Sequence, residues 1–390
     1  MPLPPWAHRL AGGRWTHLEP DAASYRLSEN SSLALDVLRA SASQAVVVGH
    51  GMSFFGILRP LQPPHFPYIQ NVAVVVFFVL SGFLITYATL RKPPGFGFGE
   101  FFIDRFARIY SAYLIALLIV WAIDLFAIHL DPASYTHAEA LDLRTFIGNV
   151  FMLQDHPREE VHALLFAGSA SPAGVITSFG SARPFWTIAI EWWIYMCFGW
   201  LVLGRRGRST GIFVVVLAPL LVVPAYNLID GRGNGLALVW VFGAAMFLLA
   251  SRRPIAATPT RVLVGGAVLF GTLSLALLWS TKQPYDLKYG ALFAATLLCL
   301  VLATDRLSWK VPPWLASAIR FVANYSLTLY LLHYTVIELI AHHPVFERPT
   351  ANFVFAVVLA NVVSIVVAYF TEFRHRDLGR SLKRVRSGTW

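Results

Sequence analysis

An arginine and a histidine, Arg39 and His50, interrupt an apolar stretch near the start of the chain, "LDVLRASASQAVVVGH". Arg39 and His50 are 11 positions apart, and 11 residues at about 100° each return a helix to within roughly 20°. Both side chains therefore lie on one face of a predicted helix, about 16 Å apart along its axis. An imidazole can take a proton near neutral pH, and an arginine can bind a phosphate. We interpret the stretch as part of a polar site.

Other polar residues in apolar segments lie at a similar predicted depth. At a rise of 1.5 Å per residue in an apolar core about 30 Å thick, His50 lies roughly 9 Å and Glu191 roughly 10 Å below the outer surface. His333 lies roughly 18 Å above the inner surface, and Ser81 near the midplane. A charged side chain against lipid costs about 2.5 kcal/mol or more. We therefore expect these groups to face a shared polar cavity, where Glu191 or another buried acid orients the imidazole.

Arginines are predicted at the cytoplasmic mouth of this cavity. Arg39 lies closer to the inner surface than His50, and Arg105 and Arg108 in "DRFARIYSAYL" follow a loop assigned to the inside. All three guanidinium groups could hold phosphates.

Each of these groups also has a purely structural interpretation. A single histidine in a membrane helix often bonds a neighbouring helix, which applies to His50 and His333. Arg105 and Arg108 could mark only the cytoplasmic side. Tyr330 and His333 share a helical face, and on spacing alone that pattern indicates packing. The residue pattern leaves both interpretations open.

Long apolar segments must position these residues. Of the 390 residues, 56% are hydrophobic and 13% charged, whereas an average soluble domain has about 25% charged residues. A shorter run at 146–153 is predicted to be interfacial or re-entrant. We predict an all-α, polytopic membrane bundle of about ten transmembrane helices, because ten runs are long enough to span a bilayer: 36–56, 71–90, 109–129, 186–203, 211–229, 235–250, 262–280, 288–303, 321–340 and 352–371.

The distribution of positive charge predicts the orientation of these spans. An even number places both termini on one side; with that side inside, the inner segments hold 22 Lys/Arg and the outer segments 8. This asymmetry favours cytoplasmic termini and explains most of the net charge of +10 without nucleic acid. The predicted organisation is a cytoplasmic segment at 1–32, a transmembrane domain at 33–373 and a basic cytoplasmic tail at 374–390. The tail suits contact with anionic inner-leaflet lipid.

Remaining features narrow the class of protein. Cys197 and Cys299 lie in apolar runs without metal-ligand or disulfide spacing, and we expect no metal. Residues 1–32 lack the apolar core of a cleavable signal peptide. The outer loop at 130–185 is a candidate lid. Its charged and imidazole side chains include His156, Arg158, Glu159, Glu160 and His162.

Five motifs, in order along most of the chain, resemble those of the membrane-bound acyltransferase-3 family. The opening stretch is similar to the family's R-x10-H signature, and "FFVLSGFLI" resembles a segment of its second helix. "DRFARIYSAYL" resembles the RxxR-I-x-P motif, "PFWTIAIEWWIY" the PLWSLSVEEQFY element, and "YSLTLYLLHYTV" the SYxLYLxH helix. Members of this family often O-acetylate carbohydrates.

The resemblance implies roles for the matching residues. It makes His50 the catalytic histidine with Arg39 as its companion, and it makes Arg105 and Arg108 candidates for binding the phosphates of an acyl donor. The residues implied to shape the site are Glu191, Trp186, the Ser81–Gly82 turn and His333, and we add Tyr330 from the same helix face.

Three positions depart from the family pattern. Ser111 stands where the third motif usually has proline, and Trp192 follows Glu191 where a second acid is usual. Glu372 in "YFTEFRH" is not followed shortly by proline, so a role for it is doubtful.

We hypothesise a multi-pass inner-membrane O-acyltransferase (EC 2.3.1.-), which would move an acyl group, expected to be acetyl, from acyl-CoA to a hydroxyl of a carbohydrate or glycoconjugate. His50 would act as the base or accept the acyl group itself, and Glu191 would hold its tautomer. Expected partners are the acceptor, membrane lipid and polysaccharide-biosynthesis proteins, including those of exopolysaccharides.

Two other classes compete with this hypothesis. A secondary transporter of sugars or anions would also have many spans and buried charges, although matching repeats are not evident in the sequence. A structural scaffold poorly explains three ionisable residues at one depth. The acceptor and the acyl chain length stay open.

Overall fold

Helices are the regular secondary structure of the described part of the chain. The computed structural model describes residues 24–157, 176–205, 207–280, 285–307 and 310–387. These ranges contain helices and turns but no strands, which confirms the predicted all-α class. The longer helices are α1 (Glu29–Phe55), α2 (Ile69–Leu90), α3 (Phe98–Leu130), α4 (Leu143–Val150), α5 (Phe185–Leu203), α6 (Thr210–Ile229), α7 (Leu236–Ala250), α8 (Thr260–Ser280), α9 (Leu287–Thr304), α10 (Pro313–Asn324), α11 (Ser326–His342), α12 (Pro349–Phe370) and α13 (His375–Ser387).

Several of these helices are long and apolar enough to cross a membrane. In the described ranges seven qualify, and α10 with α11 would form an eighth span bent by 60°. Helix α7 has only 15 residues, and α1 is not among the seven. The chain is therefore a multi-pass membrane protein, whereas the number ten and the orientation stay predictions.

Helices α2 and α7 cross at very short range through two glycines. A Cβ atom at Gly82 would lie 2.0 Å from the carbonyl oxygen of Trp240, and one at Gly243 would lie 2.0 Å from that of Val79. Small residues allow membrane helices to approach this closely. Ser81 and Gly82 lie inside α2, so the turn predicted at these residues is wrong. Gly82 allows α7 to approach closely and does not reverse the chain.

The predicted lid is only partly described. Its run at 146–153 overlaps the end of the short helix α4. The Tyr110 and Tyr113 hydroxyls of α3 donate hydrogen bonds to the last carbonyls of that helix. Residues 158–175, which include Arg158, Glu159, Glu160 and His162, lie outside the described residues.

Candidate active site

A cavity of about 940 Å³ lies between α1, α2, α3, α5, α11 and α13. Its walls include most of the side chains that the sequence places in a site. The predicted site residues among its lining are Arg39, Ser81, Arg105, Arg108, Glu191 and Tyr330.

The two ends of the cavity differ in polarity. Lys92 lies just beyond the end of α2 and Val74 lies 18 positions earlier, so the cavity extends roughly 27 Å along this helix. Arg105 and Arg108 belong to the first turns of α3, at the Lys92 end. Apolar side chains such as Phe77 and hydroxyl side chains such as Thr187 line the opposite end. The cavity therefore has a cationic mouth and an apolar depth.

His50 and His333 form a hydrogen-bonded pair beside the deep end. The Nδ1 atom of His50 lies 3.0 Å from the Nε2 atom of His333. His333 is fully buried, and the Tyr334 ring meets the His50 ring edge-on at a centroid distance of 5.2 Å. The two histidines, which the sequence places at a similar depth, are in direct contact.

Carbonyl groups define the proton positions in this pair. The Nδ1 atom of His333 lies 3.0 Å from the Leu329 carbonyl oxygen, which can only accept, so a neutral His333 carries its proton on Nδ1. The Nε2 atom of His333 must then accept the hydrogen bond from Nδ1–H of His50. The same Nδ1 atom of His50 lies 3.1 Å from the Val46 carbonyl oxygen. This assignment leaves a free lone pair on Nε2 of His50.

Glu191 does not orient His50, contrary to the sequence-based expectation. Its carboxylate accepts a hydrogen bond of 2.5 Å from the Tyr195 hydroxyl, which lies 2.7 Å from the Ser81 hydroxyl. Ser81 in turn accepts a bond of 3.0 Å from the Trp240 indole. Depth alone could not show that Glu191 turns toward α2 and α7 while His50 turns toward α11.

Tyr330 links the cavity to the histidine pair. Its ring centroid lies 5.8 Å from that of His333, and its hydroxyl lies 2.7 Å from the Thr187 hydroxyl. Thr187 donates to the Pro184 carbonyl, so Tyr330 donates to Thr187. The pattern that indicated packing therefore places a hydroxyl in the cavity wall, one turn from His333.

The arginines differ in how they are paired. Arg39 forms an ion pair of 2.8 Å with Asp36, and Arg108 forms one of 2.8 Å with Glu372. Arg105 forms no ion pair with the described residues, and its Nε atom is buried without a hydrogen-bond partner. An unpaired guanidinium in a cavity wall is suited to an anionic ligand.

Glu372, whose role the sequence left doubtful, joins three elements. One carboxylate oxygen forms the ion pair with Arg108, and the other accepts hydrogen bonds from the amide and the hydroxyl of Thr328, at 3.0 and 2.9 Å. Thr328 lies in the first turn of α11, where the amides lack helical partners. An acid between an apolar run and a basic tail is the sequence signal that could have indicated this position.

Trp186 lies apart from the cavity lining, next to a polar cluster beyond the deep end. The Arg232 guanidinium lies 4.7 Å from the centre of its ring and 3.3 Å from the Asp155 carboxylate. Burial raises the pKa of Asp155, and the charge of Arg232 opposes that shift. Trp186 therefore packs against Arg232 and does not lie next to the arginines of the cationic mouth.

Tyr195 and Trp240 are site residues that sequence reasoning missed. Tyr195 follows Glu191 by four positions on α5, which is the spacing of side chains that meet on a helix. Trp240 had no such signal, because its contact with Ser81 depends on the crossing of α2 and α7.

Comparisons with known proteins agree with the motifs. The family described as "Acyltransferase domain" matches residues 32–370. The peptidoglycan O-acetyltransferase OatA of Listeria monocytogenes serovar 1/2a is 23% identical over 334 residues, which are 76% of this chain and 49% of the relative. The chain thus spans about half the length of that relative. No solved structure matches, and neither match favours the transporter alternative.

Proposed function

The chain belongs to the acyltransferase-3 family, and from this premise we propose that it is a membrane-bound O-acyltransferase. The proposed donor is acyl-CoA, with acetyl-CoA as the first to test. The proposed acceptor is a hydroxyl group of a carbohydrate or glycoconjugate.

The position of Tyr330 carries this proposal, because it lines the cavity and lies next to His333, whereas the two histidines themselves are not among the lining residues. Arg39, Arg105 and Arg108 would bind the donor's phosphates, and the apolar depth would hold its extended arm. The thioester would then reach Tyr330, whose ring contacts His333. Glu191 would offset part of the positive charge and hold the Tyr195 hydroxyl.

In the direct mechanism, His50 is the general base. The acceptor oxygen bonds to the thioester carbonyl carbon while its proton passes to the free Nε2 atom of His50. The carbon–sulfur bond breaks, and the leaving thiolate takes that proton as a thiol. Such a base contributes typically 10²- to 10⁴-fold to the rate.

A covalent mechanism uses the same lone pair. Nε2 of His50 attacks the carbonyl carbon, and the thiolate leaves. The acceptor hydroxyl then attacks the acyl group and displaces the imidazole, and the proton that the hydroxyl loses is taken up by the thiolate. Both mechanisms require the Nδ1–H tautomer of His50, which the His333 contact supports.

The orientation follows from the charge distribution. We propose that the mouth at Lys92 and Arg105 faces the cytoplasm, where acyl-CoA is available, in a plasma-membrane protein of about ten spans. The histidine pair would then lie toward the outer side. An extracytoplasmic glycan is the proposed acceptor class, and the name of the relative makes glycan strands of peptidoglycan the first to test.

His50→Asn in purified protein tests the proposal. We expect acceptor-dependent thiol release from acetyl-CoA to fall at least about a hundredfold, because the variant lacks the basic nitrogen. N-acetylglucosamine oligomers serve as the acceptor, and size-exclusion profiles confirm folding. His65→Asn, at an exposed loop position, is the matched control with wild-type rates. Undiminished thiol release by His50→Asn would remove His50 from the mechanism.

A further inference from the structure

The C-terminal helix α13 forms one wall of the cavity mouth. A Cβ atom at Gly379 would lie 3.4 Å from that of Ala107 on α3. Lys383 forms an ion pair of 2.5 Å with Asp104, and Arg386 forms one of 3.1 Å with Glu100. The basic tail, expected to lie against lipid headgroups, is therefore fastened along the first turns of α3.

The positive charges of α13 divide between two faces. Arg376, Gly379, Arg380 and Lys383 line the cavity, and their spacing of i, i+3, i+4 and i+7 defines one helical face. Arg376, Arg380 and Arg384 are all exposed, but Arg384 is not among the lining residues. A helix that served only an anionic bilayer surface would not need one row of its cations along the wall of a cavity.

The lining of the cavity has more positive than negative side chains. It contains seven Lys or Arg residues and two acids, Asp104 and Glu191. Three of the arginines are paired with acids outside the lining: Arg39 with Asp36, Arg108 with Glu372 and Arg380 with Asp377. Asp104 is shared by Lys92 at 3.0 Å and Lys383 at 2.5 Å. Arg105 keeps a buried Nε atom without a partner. Among the described residues Arg105 and Arg376 form no ion pair, and Lys92 and Lys383 share one acid. An anionic ligand with several charges would compensate this remaining positive charge.

We infer that the Arg376–Arg380–Lys383 face of α13 is part of the donor site and binds phosphate groups of a nucleotide with several phosphates. This inference rests on the proposed function, since acyl-CoA is the donor of that chemistry. Arg105 and Arg108 would contact the phosphates from α3, and α13 would contact them from the opposite wall. The tail is then a substrate-binding element.

A binding measurement with coenzyme A in lipid nanodiscs tests the inference. Arg376→Ala with Arg380→Ala should raise the Kd for coenzyme A at least about tenfold, since each charge-assisted bond contributes that much. The increase should be equal in neutral phosphatidylcholine and in anionic phosphatidylglycerol. Arg384→Ala is the matched control, and Arg376→Lys with Arg380→Lys, which keeps the charge, should stay within a few-fold of wild type.

An unchanged Kd in the double alanine variant would overturn the inference, and so would equal effects of Arg384→Ala and the double variant. A defect confined to anionic nanodiscs would assign the helix to lipid instead. If the double alanine variant transferred acetyl groups and kept the wild-type Kd for coenzyme A, the role of α13 would be refuted and the proposed enzyme would stand. Tail-dependent binding of coenzyme A without any transfer would refute the proposed enzyme and leave this site standing.

Discussion

At the scale of single residues, His333 is the side chain that defines the chemistry of His50. Its Nε2 atom is the acceptor for Nδ1–H of His50, and its own Nδ1 proton is held by the Leu329 carbonyl. In the proposed mechanism this would be the role that a carboxylate has in a Ser-His-Asp triad, where loss of the correct tautomer costs about 10⁴ in kcat. A neutral ring does the same without a buried charge.

Two substitutions of His333 distinguish tautomer control from packing. In His333→Gln the amide oxygen can still accept from His50, so kcat should stay within about tenfold of wild type. His333→Leu fills similar space without an acceptor, and kcat should fall by roughly a hundredfold with the donor KM unchanged, as when other orienting partners are removed. Steady-state thiol release measures both. Equal losses in the two variants would contradict tautomer control.

At the scale of helices, the crossing of α2 and α7 positions one side of the site. The Gly82–Gly243 contact brings Trp240 within hydrogen-bond distance of Ser81. Ser81 in turn contacts Tyr195, the donor to Glu191. The geometry around Glu191 therefore depends on two residues without side chains.

Gly82→Ala should destabilise the protein by about 1–3 kcal/mol, because the new methyl group would overlap the Trp240 carbonyl and separate the helices. Thermal unfolding in detergent measures the change. Gly265→Ala on α8 is the matched control: its methyl group would meet nothing within 4 Å, so stability should be equal or slightly higher. Equal melting temperatures for Gly82→Ala and wild type would refute the close-contact role.

The break between α10 and α11 is stabilised by an acid from another segment. A helix that restarts at Ser326 leaves amides without partners, and the Glu372 carboxylate accepts from that of Thr328. The sequence predicted one span at 321–340, whereas the structure divides this region at Tyr325. The capping acid comes from a position 44 residues later, which hydropathy cannot reveal.

At the scale of the whole molecule, the helices could be predicted because apolar runs are local, and depth because the helical rise is constant. The rotation of each helix about its own axis could not be predicted from the sequence. The His50–His333 contact joins residues 283 positions apart, and Ser81 meets Tyr195 across 114 positions. Similar depth correctly brought the two histidines together but wrongly paired His50 with Glu191. Which faces meet depends on tertiary packing, as at Gly82.

The cavity also brings basic residues of distant segments together. Lys92, Arg105 and Arg380 come from a loop, a helix start and the tail, and all three line one mouth. Positive charge near the inner surface is expected of any membrane protein; its concentration around one cavity is the feature specific to this fold.

A structure of the protein with coenzyme A bound, determined by electron cryomicroscopy, tests the link between the mouth and the histidines most directly. The phosphates should lie between Arg105 and Arg376, and the sulfur atom should lie beside Tyr330, next to the His50–His333 pair. Coenzyme A bound outside the cavity, or with its sulfur directed away from Tyr330, would contradict acyl transfer at His50.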